Sequence, residues 1–349
     1  MGIHTIELYA GNLKYHQIQK TIDHLVEQRS IQRRYSDPYS IDRHLKSKYL
    51  MDEGVRMRLY QSHNKSNGIS FAVTPSTLLA KCYQPLKLYR PTKANVDTLQ
   101  EALGELIKEV HLCDHEGPVV TPEELSLSRM DLTADLYFIK SADISSLIRL
   151  FRKSMLPRHY KRGELEGKQD YSFQLATKKI SFKVYDKIYE LEQNDRCPKE
   201  HRKQKVLRLE VSMKREAFLD RLNLNRKDDL YTMLKAGYDH VSDEIDYFLD
   251  KLFPSHGTHL PYPEAKKAIQ KSKLDPGTRK QMLFLLEKTS RGAGLDTAAQ
   301  KWAKTYSIVD SRKFHSLMKQ FDKLHVNPIT LTSKDTTEIP SLRTLIHLE

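Results

Sequence analysis

The stretch that decides the fold of its region reads Ser181-Phe182-Lys183-Val184-Tyr185-Asp186-Lys187-Ile188-Tyr189-Glu190. Apolar side chains occupy even positions, at Phe182, Val184 and Ile188. The odd positions carry Ser181, Lys183, Tyr185, Lys187 and Tyr189. Alternation with a period of two predicts a half-buried strand, with its apolar side on a core and its other side facing out. The outward side therefore carries a phenol between two ammonium groups, which is unusual for a solvated sheet face.

Two other segments alternate in the same way and place charged groups on one side. In 129–136 the even positions are apolar, and the odd positions are Arg129, Asp131, Thr133 and Asp135. In 206–213 the odd positions are apolar, and the even positions include Arg208, Glu210 and Ser212. If these strands share a sheet with 181–190, one face carries three carboxylates, several cations and a phenol.

This mixture of side chains suits the cleavage of a phosphodiester. A phenol has a pKa of about 10 and becomes a good nucleophile only when a cation or a metal stabilises the phenolate. The charge that builds on the phosphate oxygens must also be neutralised. Clustered Asp and Glu oxygens suit Mg²⁺ or Mn²⁺, and the chain has no His-x-His pair, so carboxylates would supply most ligands. The same side chains could instead form only cross-strand ion pairs, and spacing alone leaves this open.

Composition points to a soluble protein with a polyanionic partner. The 349 residues suit two or three domains, and the net charge of +13 favours binding to nucleic acid. No run approaches the roughly 18 apolar residues of a membrane span, and the N-terminus lacks the pattern of a secretory signal. Cys82, Cys113 and Cys197 have no CxxC spacing, which predicts a reducing cytoplasm and no structural zinc.

The periodicities predict an α+β fold in three successive domains. The N-terminal α+β unit (1–120) and the catalytic α+β unit (121–224) both read strand, helix, hairpin. Together they form an antiparallel-sheet region. Residues 225–349 read as helix throughout, with one long helix over 230–252. They end in two short helices, 296–304 and 311–324, that resemble a helix-turn-helix.

The last of these helices is amphipathic. Phe314, Leu317, Phe321 and Leu324 are predicted to face a core. The opposite side carries Arg312, Lys313, Ser316, Lys319 and Lys323. This is the pattern of a basic DNA-recognition helix and equally that of a solvated basic helix.

Several segments, in order, resemble one family of proteins. They are 128–135 (SRMDLTAD), 182–187 (FKVYDK) with Glu190, 207–211 (LRLEV), 71–79 (FAVTPSTLL), and Trp302 with Phe314 and 326–329 (VNPI). This series is similar to that of the rolling-circle replication initiators of the filamentous-phage gene II/X type and of related plasmid Rep proteins. The most specific element is the Tyr-Asp-Lys-x₂-Glu segment.

The resemblance implies a metal-dependent endonuclease that nicks and rejoins one strand at a rolling-circle origin through a tyrosyl-5′-phosphate. Carried onto this chain, it makes Tyr185 the nucleophile, with Lys187 and Arg208 stabilising phosphate charge. The implied metal ligands are Asp131, Asp135 and Glu210, with Glu190 as a weaker fourth, for Mg²⁺ or Mn²⁺. Lys183 and the basic side of the last helix would bind DNA.

The same family implies a cytoplasmic protein whose partners are origin DNA and the host helicase and polymerase, with no membrane and with a homodimer left open. Tyr189 shares the predicted strand parity of Tyr185, so it is a second candidate nucleophile. A non-catalytic DNA-binding replication regulator of the same fold is the main alternative function. An RNA-binding module is a third, because strand-helix-hairpin units also serve RNA.

Overall fold

The computed structural model describes residues 1–27, 42–45, 54–60, 67–112, 117–138, 141–163, 171–331 and 338–347. Its elements up to the fifth strand are β1 (Gly2–Leu13), α1 (Tyr15–Glu27), β2 (Asp42–Leu45), β3 (Val55–Tyr60), β4 (Asn67–Val73), α2 (Pro75–Ala80), α3 (Lys93–Glu109) and β5 (Ser126–Tyr137). The middle of the chain forms α4 (Ser141–Lys153), β6 (Lys161–Arg162), β7 (Ser172–Ala176), β8 (Ile180–Asp186), α5 (Lys187–Gln193) and β9 (Val206–Lys214). The rest is helical, with α6 (Arg215–Arg221), α7 (Leu230–Asp239), α8 (Val241–Leu252), α9 (Tyr262–Lys271), α10 (Pro276–Ser290), α11 (Leu295–Thr305), α12 (Ser311–Lys323) and α13 (Leu342–His347). The fold class is therefore α+β.

The chain forms two units, and each is discontinuous in sequence. The first comprises Met1–Thr133 and Val211–Ser242, and the second comprises Ala134–Glu210 and Asp243–Glu349. These bounds differ from the predicted domain limits at residues 120 and 224. Strands β5 and β9 each contribute residues to both units. A boundary at a single position in the sequence therefore does not separate the two units.

The first unit is built on antiparallel strands. Its hydrogen-bonded neighbours run β2, β3, β4, β1 and β5. β1 pairs antiparallel with both β4 and β5. The apolar positions of β1 and of the amphipathic α3 are buried, as their periodicities predict.

The second unit places β9, β8, β7 and β6 next to one another in that order. Its core is aromatic. Phe182 of β8 stacks on Phe248 of α8, with ring centroids 4.8 Å apart, and Phe151 of α4 contacts Phe173 and Phe253. Five rings so placed remove a large apolar area from water and fix which side of β8 faces inward.

The structure corrects three sequence-based predictions. The strand predicted within 181–190 ends at Asp186, because a helix begins at Lys187. The long helix over 230–252 is two helices, α7 and α8, with a break at His240. The charged sides of 129–136 and 206–213 do not face solvent, since Asp131, Asp135, Arg208 and Glu210 are all buried. Residues 33–39 (RRYSDPY), whose basic, tyrosine-bearing sequence predicts a loop, lie outside the described residues.

No helix in the described part of the chain combines the length and the apolar character needed to cross a membrane.

Gly257 is required where two segments of the second unit come into backbone contact. The Thr258 amide donates to the His325 carbonyl at 3.0 Å, and the Asn327 amide donates to the Thr258 carbonyl at 2.9 Å. A Cβ atom at Gly257 would overlap backbone atoms of Val326. Because those atoms belong to the backbone, they cannot move aside as a flexible side chain would.

We therefore predict that Gly257→Ala lowers the free energy of unfolding by about 1–3 kcal/mol, the usual cost of overpacking. Gly104→Ala is the matched control. Gly104 lies inside α3, and its Cβ would lie 3.5 Å from the Pro122 side chain, an ordinary van der Waals contact, so the change should raise stability by up to about 1 kcal/mol. Denaturant titration measures both values, and equal stabilities for the two variants would contradict the close approach.

Candidate active site

Strands β8 and β9 bring the central polar residues together within the second unit. Tyr185 of β8 donates its hydroxyl to Glu210 Oε2 of β9 at 3.3 Å. Lys183, two residues earlier on β8, donates Nζ to Glu210 Oε1 at 3.0 Å. The two carboxylate oxygens of Glu210 are thus shared between a phenol and an ammonium group. Because residues two apart on a strand share a face, the alternation in the sequence already aligned Lys183 with Tyr185.

A buried ion pair joins β9 to the end of β5 within the second unit. Arg208 is 0% exposed, and its Nε and Nη2 donate to the two oxygens of Asp135, each at 2.6 Å. This bidentate geometry satisfies both oxygens of the carboxylate and compensates for the loss of water around two charges. Arg208 therefore binds Asp135 directly. Its positive charge also stabilises the ionised form of Tyr185.

Lys187 lies close to Tyr185 because of a local structure that the strand pattern did not predict. The Asp186 carboxylate accepts from the amides of Ile188 and Tyr189, at 3.1 and 3.0 Å, and so caps the N-terminus of α5. The chain turns from strand to helix at this point. Lys187 then pairs with Glu190 one turn later, at 2.8 Å, and its Nζ lies 5.9 Å from the centroid of the Tyr185 ring.

Asp186 is a residue that shapes the candidate site and that the sequence interpretation missed. The signal was present, because Asp is a preferred N-cap residue and the segment that follows it is rich in helix formers. The apolar alternation continues through Ile188 and favours a strand, so the N-cap at Asp186 was not recognised.

The charges around Tyr185 set which groups are ionised. Burial raises the pKa of the Tyr185 phenol well above its usual value, and the carboxylate of Glu210 adds to this effect. Arg208 opposes both. Burial also favours a raised pKa at Glu210, but the neighbouring Lys183, Arg208 and Lys187 hold that pKa below its ordinary value. At neutral pH the pair is therefore a phenol donor and a carboxylate acceptor.

Lys187 experiences the opposite balance. Burial and the charge of Arg208 lower the pKa of its ammonium group, and Glu190 offsets part of that shift. The ammonium group of a lysine in this setting loses its proton more readily than that of an exposed lysine. An added negative group such as a phosphate would stabilise its charged form.

Tyr189 does not share the position of Tyr185. It lies in α5, and its ring stacks on Tyr171 with centroids 3.6 Å apart and planes 7° from parallel. The predicted common parity of Tyr185 and Tyr189 is wrong, because the strand ends between them.

Asp131 belongs to the first unit. Its carboxylate pairs with Arg129 Nε at 3.2 Å and accepts a hydrogen bond from the Ser212 hydroxyl. Asp131 and Ser212 belong to the polar sides predicted for 129–136 and 206–213, and the structure brings the two side chains into contact.

The predicted metal ligands do not form a ready-made site. Asp135 is paired with Arg208, Glu190 with Lys187, and Glu210 with Lys183. Across the described ranges, no group of three or more His, Cys, Asp or Glu side chains is placed to hold a metal ion. The residues as arranged therefore do not fit Mg²⁺ or Mn²⁺, which need several oxygen ligands.

The predicted DNA-binding residues of the last helix are exposed on α12. They are Arg312, Lys313, Ser316 and Lys319. On its other side Phe314, Leu317 and Phe321 are buried, which confirms this part of the amphipathic prediction. Arg312 pairs with Asp310, whose carboxylate also accepts from the Arg312 amide at the start of the helix.

Comparison of the chain with protein-family models and with curated proteins gives no match. The only support for a resemblance to rolling-circle initiators is therefore the set of segments quoted from the sequence.

We predict that Asp135→Asn lowers the free energy of unfolding by about 3–5 kcal/mol, because it leaves the buried Arg208 guanidinium without this carboxylate. Asp239→Asn is the control, since Asp239 pairs with Lys235 on the surface and its loss should cost at most about 1 kcal/mol. Denaturant unfolding compares the two. A cost for Asp135→Asn no larger than that of the control would show that the buried pair is not a structural requirement.

Proposed function

We propose that this chain is a replication initiation protein that nicks and rejoins one DNA strand, with Tyr185 as the nucleophile. One observation carries the proposal. The Tyr185 hydroxyl is hydrogen-bonded to a carboxylate that neighbouring cations keep ionised, inside a group of three positive side chains. A nucleophile, an acceptor for its proton and cations for a phosphate are what transesterification of a phosphodiester requires.

The proposed reaction begins with proton transfer. Tyr185 Oη attacks the phosphorus and forms the phosphotyrosyl bond, while its proton passes to Glu210 Oε2. The bond from phosphorus to the 3′-oxygen breaks, and that oxygen takes a proton from solvent to become the free 3′-OH. Rejoining reverses these steps, with the 3′-OH as attacking group. General-base help of this kind contributes roughly 10²- to 10⁴-fold to rate.

Proton transfer to Glu210 also changes the local charge. Before it, Glu210 neutralises Lys183 at 3.0 Å. Once protonated, Glu210 is neutral, so the Lys183 ammonium becomes available to the phosphate oxygens as their charge grows. Lys187 adds a second cation beside the ring, and the charge of Arg208 favours the ionised form of Tyr185. Glu210 is thus proposed as a base, a role different from the metal ligation that the resemblance implies.

The resemblance implies Mg²⁺ or Mn²⁺, which the residues as arranged do not fit, so no step above depends on a metal and the experiment below tests the requirement. The proposal retains the finer architecture predicted from the sequence, namely two strand-helix-hairpin units and a helix-turn-helix formed by α11 and α12. In this view α12 binds duplex origin DNA, and host helicase and polymerase then act on the free 3′ end.

A DNA-binding replication regulator that does not cleave is the second candidate. The observation that favours it is the balance of charge at the site. Three carboxylates (Asp135, Glu190 and Glu210) are paired with three cations, and burial together with Glu210 raises the pKa of Tyr185. A network of this kind can serve stability alone.

We predict that the protein converts a supercoiled replicon carrying its own gene into open circles with protein covalently attached, and that Tyr185→Phe abolishes both products. Reactions with Mg²⁺, Mn²⁺ or a chelator determine the metal requirement. Glu210→Gln, which keeps the shape but removes the base, should slow nicking by roughly 10²- to 10⁴-fold. Thermal melts confirm that each variant is folded.

Tyr189→Phe is the matched control and should nick at the wild-type rate, because its ring stacks on Tyr171 instead of contacting Glu210. Wild-type protein that binds DNA without ever nicking it would support the regulator. Wild-type activity in Tyr185→Phe would overturn the assignment of the nucleophile.

We also predict that Lys313→Gln with Lys319→Gln weakens binding to duplex DNA and reduces the salt dependence of its binding constant. Loss of two phosphate contacts should lower the slope of log K against log salt by roughly 2. Lys14→Gln, at an exposed lysine of the first unit, should leave the slope unchanged. Fluorescence anisotropy at several salt concentrations gives the slopes, and identical slopes for all three proteins would exclude α12 from the interface.

A further inference from the structure

The helical part of the second unit contains an open groove with an aromatic floor. It has a volume of about 460 Å³ and lies where α9 ends, along the first three turns of α10, and beside the residue that follows α11. Leu283, Phe284 and Tyr306 contribute its apolar surface, and Arg279 and Lys280 are among its polar lining residues.

The sequence of α10 explains why apolar groups line this groove. Residues 282–286 read Met-Leu-Phe-Leu-Leu, and five consecutive apolar residues cannot all face one side of a helix. Met282, Leu285 and Leu286 are buried in the core. Leu283 and Phe284 are left half-buried at the groove, so part of their apolar surface contacts solvent.

The two aromatic rings are held in a fixed relation. The centroids of Phe284 and Tyr306 are 5.8 Å apart, with planes 84° from parallel, and the Tyr306 hydroxyl lies 3.5 Å from the Lys280 carbonyl oxygen. The ammonium group of Lys288 lies 5.1 Å from the Phe284 centroid. Rigid rings with a cation beside them are suited to stacking on flat, electron-rich groups.

The charge around the groove selects a polyanion. Between residues 262 and 306 the chain has ten Lys and Arg against four Asp and Glu. The acidic residue in the lining, Glu287, forms an ion pair with Arg291 at 2.6 Å. The other charged residues of the lining, Arg279 and Lys280, are cationic, so the net charge of the lining is positive and lies beside the half-buried aromatic rings.

We infer that this groove binds single-stranded DNA, with bases stacked on Phe284 and Tyr306 and phosphates held by Arg279, Lys280 and Lys288. Cationic grooves with aromatic platforms bind single strands without strong sequence preference, because every base offers a flat face. The inference rests on the proposed function only for the source of the strand, the one exposed at a nicked origin. Binding itself does not require Tyr185.

The test measures binding of a labelled oligothymidylate of about 15 nucleotides by fluorescence anisotropy. Phe284→Leu combined with Tyr306→Leu removes the aromatic faces but keeps apolar volume, and it should weaken binding by roughly 5- to 100-fold. Tyr15→Leu, at an exposed tyrosine of the first unit, should have no effect. Binding of oligothymidylate does not depend on cleavage at an origin, so failure of the nicking proposal leaves this result intact.

An abasic oligonucleotide of equal length separates stacking from charge. It should bind the wild-type protein more weakly than oligothymidylate and should be insensitive to the double leucine change. Lys280→Gln with Lys288→Gln should lower the salt slope by roughly 1.4, the value for two phosphates of a single strand. The inference fails if the folded double leucine variant binds oligothymidylate as tightly as wild type, or if abasic and normal strands bind equally.

Discussion

The arrangement of the candidate site depends on one buried ion pair, between Arg208 and Asp135. Two charges without water are tolerable only when their geometry is bidentate and close, which both 2.6 Å contacts satisfy. This requirement fixes the relative positions of β9 and the end of β5 within the second unit. Glu210 lies two residues beyond Arg208 on the same side of β9, so its carboxylate is fixed by the same constraint. The positions of Lys183 and Tyr185 then follow from their hydrogen bonds to Glu210.

The change from β8 to α5 at Asp186 supplies the remaining cation. A strand that continued through Ile188 would have placed Lys187 on a sheet face, one period beyond Tyr185. The cap formed by Asp186 instead starts a helix, and Lys187 becomes its first residue, close to the Tyr185 ring. The same change places the Tyr189 ring on Tyr171, while Tyr185 donates its hydroxyl to Glu210. A local capping interaction therefore separates the positions of the two phenols.

The two nucleic-acid surfaces proposed for this chain use different physics. The exposed side of α12 offers cations and no exposed Phe, Tyr or Trp ring, which suits the regular phosphates of a duplex. The groove at Phe284 and Tyr306 adds flat apolar faces, which only unpaired bases can use. The proposed replication function would use both kinds of surface, because origin DNA is a duplex and displacement of the nicked strand exposes unpaired bases.

How much could be predicted from the sequence varies between these features. Periodicity alone was sufficient for the α+β class, for the buried sides of α3 and α12, and for the shared face of Lys183 and Tyr185. Each depends on a repeat of 2.0 or 3.6 residues that acts within one element. The break at His240 and the end of β8 were missed, because apolar periodicity ran through both positions and concealed the local capping interactions.

The amino-acid sequence by itself determined which side chains share a strand face, since that is a property of the backbone. Only the tertiary structure decided that the charged face is buried, that Arg208 pairs with Asp135, and that Glu210 accepts from Tyr185. Which carboxylate meets which cation depends on the register between strands distant in sequence, and many pairings satisfy the same pattern of alternation. The groove at Phe284 likewise needed the structure, because Tyr306 reaches it from beyond the end of another helix.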